Sequence, residues 1–112
     1  MTTTTITKSQ WSRYFAALSA SLSGQQAFIE VAGLELGDQV EARWIALVSI
    51  TYDNKDDVVV LDLGDLNHVV QHPTRVDAAD DAGAITSIEI VDREGTQHIV
   101  RLRDPLLIAS AD

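Results

Sequence analysis

Three histidines, His68, His72 and His98, are the side chains of this chain best suited to move a proton or hold a metal near neutral pH. His68 and His72 lie four residues apart, which puts both rings on one side of an extended strand, a spacing that metal sites do use. Pro73 and the Val-rich flanks argue against the helix on which such a pair would converge better. Rings bonded to backbone or solvent at a strand edge are therefore the favoured reading. No metal is expected, with His68 and His72 as the candidates if one binds. His98 falls on the apolar side of its hairpin, which suits a satisfied, half-buried ring better than a catalyst.

The carboxylates offer less. Asp53, Asp56 and Asp57 form one cluster, Asp62 and Asp65 a second, Asp80 and Asp81 a third. A calcium loop beginning at Asp53 would need an acid or amide where Lys55 stands, a glycine where Val58 stands and a bidentate Glu where Gly64 stands. Turn aspartates capping their own backbone explain these clusters more simply. Glu30, Glu41 and Glu89 are isolated on strands. With no cysteine, the chain has no disulfide, zinc-thiolate site, iron–sulfur cluster or thiol nucleophile. It also lacks a G-x-S-x-G elbow, a G-x-G-x-x-G turn and a P-loop. No catalytic residue is assigned and no cofactor is expected.

Composition narrows the partners. The chain has 112 residues, 46% of them hydrophobic, enough for one domain with a single, mostly aliphatic core. Seventeen acidic against eight basic residues leave a net charge of −9, which repels nucleic acid and anionic membranes unless a local basic patch intervenes. Neither is expected as a partner. Arg101 and Arg103 make the clearest basic pair, and solvated or acid-paired arginines account for it. No apolar run approaches a membrane span, and Met1 with four threonines is unlike a secretory signal, so a cytoplasmic protein is expected.

The positioning elements are a helix and then strands. Thr7 and Gln10 have the spacing of a capping box, with Ile6 and Trp11 as a hydrophobic staple. Trp11, Tyr14, Phe15, Leu18 and Leu22 follow on one helical stripe, and Gly24 suits a left-handed C-terminal cap. A helix over 7–23 packed on its own sheet is expected, after a disordered tail over 1–6.

From 27 to 103 the pattern is antiparallel β. Ala27–Ala32 puts Phe28 on one face and Ile29 and Val31 on the other, with a loop between Gly33 and Gly37. Residues 39–52 switch parity, which requires a bulge or bend near 44–48. Trp44 with Arg43 forms a potential partner-binding spot, although Trp44 lies on the apolar parity and core packing is preferred. Residues 48–63 read as a hairpin, and Leu66–His72 as a strand that Pro73 limits to an edge or a break. For the last hairpin, a bulge at Gly95 sets Asp92 opposite Thr96, Ile90 opposite His98, Ile88 opposite Val100 and Thr86 opposite Leu102. Glu89 then lies diagonal to Arg101. The apolar tail over 104–112, with Leu106, Leu107 and Ile108, is expected to pack back on the domain or on a second copy.

Trp11 and Phe15, Glu30-Val31-x-Gly33, Gly37-x-Gln39-x-Glu41-Ala42-Arg43, Leu47-x-x-Ile50, Leu66-x-His68, Pro73-Thr74-Arg75-Val76, Ile88-Glu89, Gly95-Thr96 and Arg101 together resemble an uncharacterised family of short bacterial proteins, a domain of unknown function. The likeness spans nearly the whole chain and departs at Ala46, where the family has proline. It implies a similar fold and no known reaction. The expected fold is mainly β: one amphipathic helix on a curved antiparallel sheet of five to six strands, either closed as a small SH3- or Sm-like barrel or open with the helix across one face. The expected function is a non-catalytic binding or protein-interaction module that self-associates or binds another protein. Its interaction candidates are Arg43, Trp44, Leu106, Leu107 and Ile108. The alternative is a small enzyme or metal-dependent protein using His68, His72 and nearby carboxylates.

Overall fold

Hydrophobic alternation in the strands is resolved by two antiparallel sheets facing one core in the computed structural model, which describes residues 1–33 and 37–108. The strands are β1 (Thr2–Ile6), β2 (Gln26–Gly33), β3 (Gly37–Ala46), β4 (Ser49–Asp53), β5 (Val58–Asp62), β6 (Asn67–Gln71), β7 (Pro73–Asp81), β8 (Ala84–Asp92) and β9 (Gln97–Leu106). A 3-10 turn (Lys8–Gln10) leads into the single helix, α1 (Trp11–Ala20). One sheet has the order β1-β7-β8-β9-β2-β3, the other β4-β5-β6. Among the described residues neither sheet closes, so the expected single sheet or barrel is corrected to an open six-stranded and a three-stranded sheet.

Two places in the chain make the division. Leu47 N–H donates to the carbonyl of Gln25, just before β2 of the large sheet, and the next amide, Val48, donates to Asp62 in the small one. Leu47 is thereby buried and Val48 exposed. The return occurs at His72, whose φ of +53° turns the chain out of β6 so that Pro73 opens β7 opposite Asp92. Of the two expectations for Pro73, the break holds: β6 and β7 belong to different sheets. The segment 34–36, expected as a loop, lies outside the described residues.

The inner faces carry the core. Ala27, Ile29, Ile88, Ile90, Val100 and Leu102 of the large sheet meet Ile50, Val59, Leu61 and Val70 of the small one. The hairpin of β8 and β9 has the expected register from Ser87–Arg101 to Ile90–His98, with Gly95 at φ +84° and Asp92 N–H bonded to Thr96. Thr86 does not oppose Leu102: the ladder shifts there and Ile85 pairs with Leu106.

The helix stripe is buried as expected, with Trp11, Phe15, Leu18 and Leu22 at 0–3% exposure. Its entry differs. Thr7 makes no side-chain cap, and the Trp11 indole N–H donates instead to the Ile6 carbonyl at 2.9 Å. The α-helix is shorter than 7–23, and Gly24 takes its left-handed φ beyond the cap, in the turn before β2. A small polar side chain ties the helix to the sheet below it. Ser19 Oγ both donates to Ile50 O and accepts from Ile50 N, each at 2.9 Å, which covers the free edge of β4. The threonine segment is not a frayed tail. Thr2–Ile6 pairs with β7, and the buried Asp77 carboxylate holds it there through Thr5 Oγ1 (2.6 Å) and Arg75. No helix of the described residues is long and apolar enough to cross a membrane.

Candidate functional site

His98 lies on the inner face of β9 and is buried at 7% exposure, so both ring nitrogens need partners. One partner ends β8: Asp92 Oδ2 is 3.1 Å from His98 Nε2. The other belongs to the opposite sheet, where His68 on β6 brings its Nε2 to 2.9 Å from His98 Nδ1. A carboxylate can only accept, so His98 Nε2 carries the proton in the neutral state, His98 Nδ1 accepts, and His68 Nε2–H donates. The remaining His68 nitrogen, Nδ1, is then the basic end of an Asp92–His98–His68 chain. Burial first, and then the neighbouring His98, hold His68 below the usual histidine value, with Glu41 pulling the other way.

His72 does not join this chain. Its ring is 3.5 Å from Asp57, whose other oxygen accepts from Tyr52 Oη at 2.8 Å. The Tyr52 bond holds Asp57 below the ordinary carboxylate range, while burial, helped by that bond, pushes the Tyr52 phenol up to about 12. His68 and His72, placed on one side of a strand by spacing, are thus separated by the positive φ at His72. A depression of about 240 Å³ lies beside His98 and is lined by His72, Gln71, Asp92 and Arg93; it includes neither His68, Glu41 nor Arg43. Among the described residues no group of three or more His, Cys, Asp or Glu is placed to hold a metal. Added zinc or calcium is expected to leave the melting temperature unchanged. An upward shift abolished by His68→Ala would contradict this, because a tight site stabilises the native state by mass action.

The second feature is the outer face of the β2–β3 pair. Ile29 opposes Ala42 and Ala27 opposes Ile45, so the two residues Arg43 and Trp44 stand against the single Phe28. Glu41 is a further extra residue, between the Ile29–Ala42 and Glu30–Val40 pairs. Two successive bulges result, with Trp44 at φ +53°. They turn Trp44 out of the core: it is 42% exposed, which corrects the expected core position. The expected bend is present, and it is what expels the ring. Trp44 packs on Phe28 at a centroid distance of 5.5 Å, and the Arg43 guanidinium lies 5.8 Å from the Phe28 centroid. Phe28 also pairs across the sheet with Arg101. Arg101 bonds Glu30 at 2.9 Å, not Glu89, and Arg103 bonds Gln26 at 2.6 Å. Val40 is exposed at the same edge.

The apolar tail is divided. Leu106 is buried in the ladder with β8, Ile108 packs against the core, and Leu107 is exposed. The tail beyond Ile108 lies outside the described residues. Of the sequence-derived interaction candidates, the structure brings Arg43 and Trp44 together on one surface and removes Leu106 from it. Sequence reasoning missed Phe28 because its alternation with Ile29 reads only as an outward position, and the His68–His98 contact because it spans two sheets.

Residues 2–110 match the model of a family of unknown function, DUF5335. An uncharacterised protein from Aquifex aeolicus is 39% identical over 104 residues, covering 92% of this chain and 94% of that one. No solved structure matches.

Proposed function

The chain belongs to that family of unknown function, and from this premise we propose that it is a non-catalytic protein-interaction module. Its docking surface is the outer face of β2 and β3 around Phe28, Arg43 and Trp44. The occupant is an acidic segment of another protein that carries apolar side chains. The observation that carries this reading is the exposed Trp44 packed on a half-buried Phe28, with Arg43 over the Phe28 ring. Exposed tryptophan and arginine on a fixed backbone are the residue types that anchor interfaces. Arg43 over Phe28 and Arg103 bonded to the neutral Gln26 favour a negative ligand, in a chain of net charge −9, whereas Arg101 is neutralised by Glu30. Acids farther than about 8 Å are screened at physiological salt, and Glu30 is taken up by Arg101, which leaves Arg43 and Arg103 to favour an acidic partner. The same bulges, with Glu41 and Arg43 beside them, disfavour simple strand addition to the β3 edge, so contact is made by side chains.

Titration with a short peptide of alternating Asp/Glu and Leu, against a Lys/Leu control, tests the reading. The acidic peptide is expected to bind and the basic one not. Trp44→Ala should weaken binding about 30-fold, the size of an interface hot spot. Arg43→Glu should weaken it further as salt is lowered. Equal binding of both peptides, or none, would overturn the proposal. Light scattering that shows a dimer broken by Trp44→Ala would also overturn it, since the face would then belong to a second copy.

A further inference from the structure

The Asp92–His98–His68 chain does more than satisfy buried nitrogens, because it carries a side-chain hydrogen bond from the middle of β6 to the large sheet, beside the Arg93 N–H bond to the His72 carbonyl at the end of that strand. We propose that it is a one-proton latch: it closes β6 onto the large sheet while the pair holds no proton or one, and opens when a second proton enters. The latch does not rest on the docking reading.

The geometry sets the count. In the neutral pair the His68 Nε2–H points at His98 Nδ1 across 2.9 Å. A first proton enters at His68 Nδ1, and the Nε2 proton crosses to His98 Nδ1. The bond reverses direction and survives. The charge then rests on His98, between Asp92 Oδ2 at 3.1 Å and the His68 ring. A second proton can only go to His68 Nε2. Two N–H groups would then face each other across the same 2.9 Å, with two cations at a ring-centroid distance of 5.1 Å. No rotation of one ring restores a bond, since an imidazolium has no acceptor.

The charged groups facing the pair limit its compensation. Asp92 serves His98 from the end of β8, and Glu41 favours charge on His68 from β3. His72, Arg93 and Glu94 line the depression beside His98, where His72 is already engaged with Asp57. Asp92 is already engaged on both oxygens, its second one accepting the Glu94 and Thr96 amides. The weak side is β6, an edge strand bonded only to β5 within its sheet.

The sign of the pH effect follows. His68 ionises less readily in the folded chain than the ordinary 6.5, so the unfolded chain binds the extra proton first. Stability is full above about pH 6.5 and is lost progressively as pH falls from there towards the folded value. Ring-nitrogen NMR on the full chain from pH 8 to 4, with amide-exchange protection of β6 and β5 at each pH, tests the latch. The expected result is two coupled steps for His68 and His98, with protection of β6 falling at the second step before that of β5. His68→Phe, which keeps a ring and removes the proton site, should make β6 protection independent of pH over this range. Independent titration of the two rings near the ordinary value with β6 still protected would overturn the proposal. So would a loss of β6 protection in acid that persists unchanged in His68→Phe. Should that variant not fold, the coupled or independent titration of the native rings still decides.

Discussion

Phe15→Ala is expected to destabilise the native state by about 3–5 kcal/mol in denaturant unfolding, at the upper end for large core truncations. Phe15 is wholly buried on α1 between Trp11 and Leu18. A helix of this length is marginal alone in water, and neither the residue before it nor Thr7 caps it with a side chain. Its persistence therefore depends on the packed stripe. The loss extends beyond the cavity, because α1 also places Ser19 against the Ile50 backbone and Trp11 edge-on to Tyr52 at 5.1 Å. A loosened helix uncovers the β4 edge. A loss below about 1 kcal/mol would show that this face is not core.

Asp92→Ala should cost about 3 kcal/mol by the same measurement, more than a typical surface substitution. One oxygen accepts the Glu94 and Thr96 amides at 2.9 and 3.0 Å and so holds the turn before Gly95. The other accepts from the buried His98 ring. Removal leaves a buried N–H without a partner and a turn without its cap, where the side chains of both residues are largely shielded from the water that could replace either bond. Asp92→Asn should recover part of the loss, since its carbonyl can still cap the turn. A cost under about 1 kcal/mol for Asp92→Ala would mean that water substitutes freely and that the histidine chain is not sealed.

Much of this was legible in local pattern. The Trp11-Phe15-Leu18 stripe, the Asp92–Thr96 turn with Gly95 and the register of Ile88 and Ile90 are set by neighbours a few residues away, and periodicity reports such contacts directly. The parity switch in 39–52 also announced a bend. What it did not contain was direction: whether Trp44 turns inward or outward depends on two residues opposing Phe28 across a ladder. Thr2–Ile6 has strand-favouring threonines, yet its partner strand lies some seventy residues away, anchored by Asp77. The division into two sheets turns on single residues, Val48 and His72, where the pattern marks a bend and a strand end but not a change of sheet. The histidine chain needs both sheets in place before it exists. Spacing paired His68 with His72, whereas the fold pairs His68 with His98.

The most direct measurement of the docking face is the pair of indole N–H signals in a proton–nitrogen NMR titration with the acidic peptide. Trp11 is buried and its N–H is committed to the Ile6 carbonyl, so its signal serves as an internal reference. Trp44 is exposed beside Phe28 and Arg43. The Trp44 indole is expected to shift progressively to saturation, together with the amides of Phe28, Arg43 and Arg101, while the Trp11 indole stays in place. Peptide binding that leaves the Trp44 signal unmoved would contradict the assignment of this face.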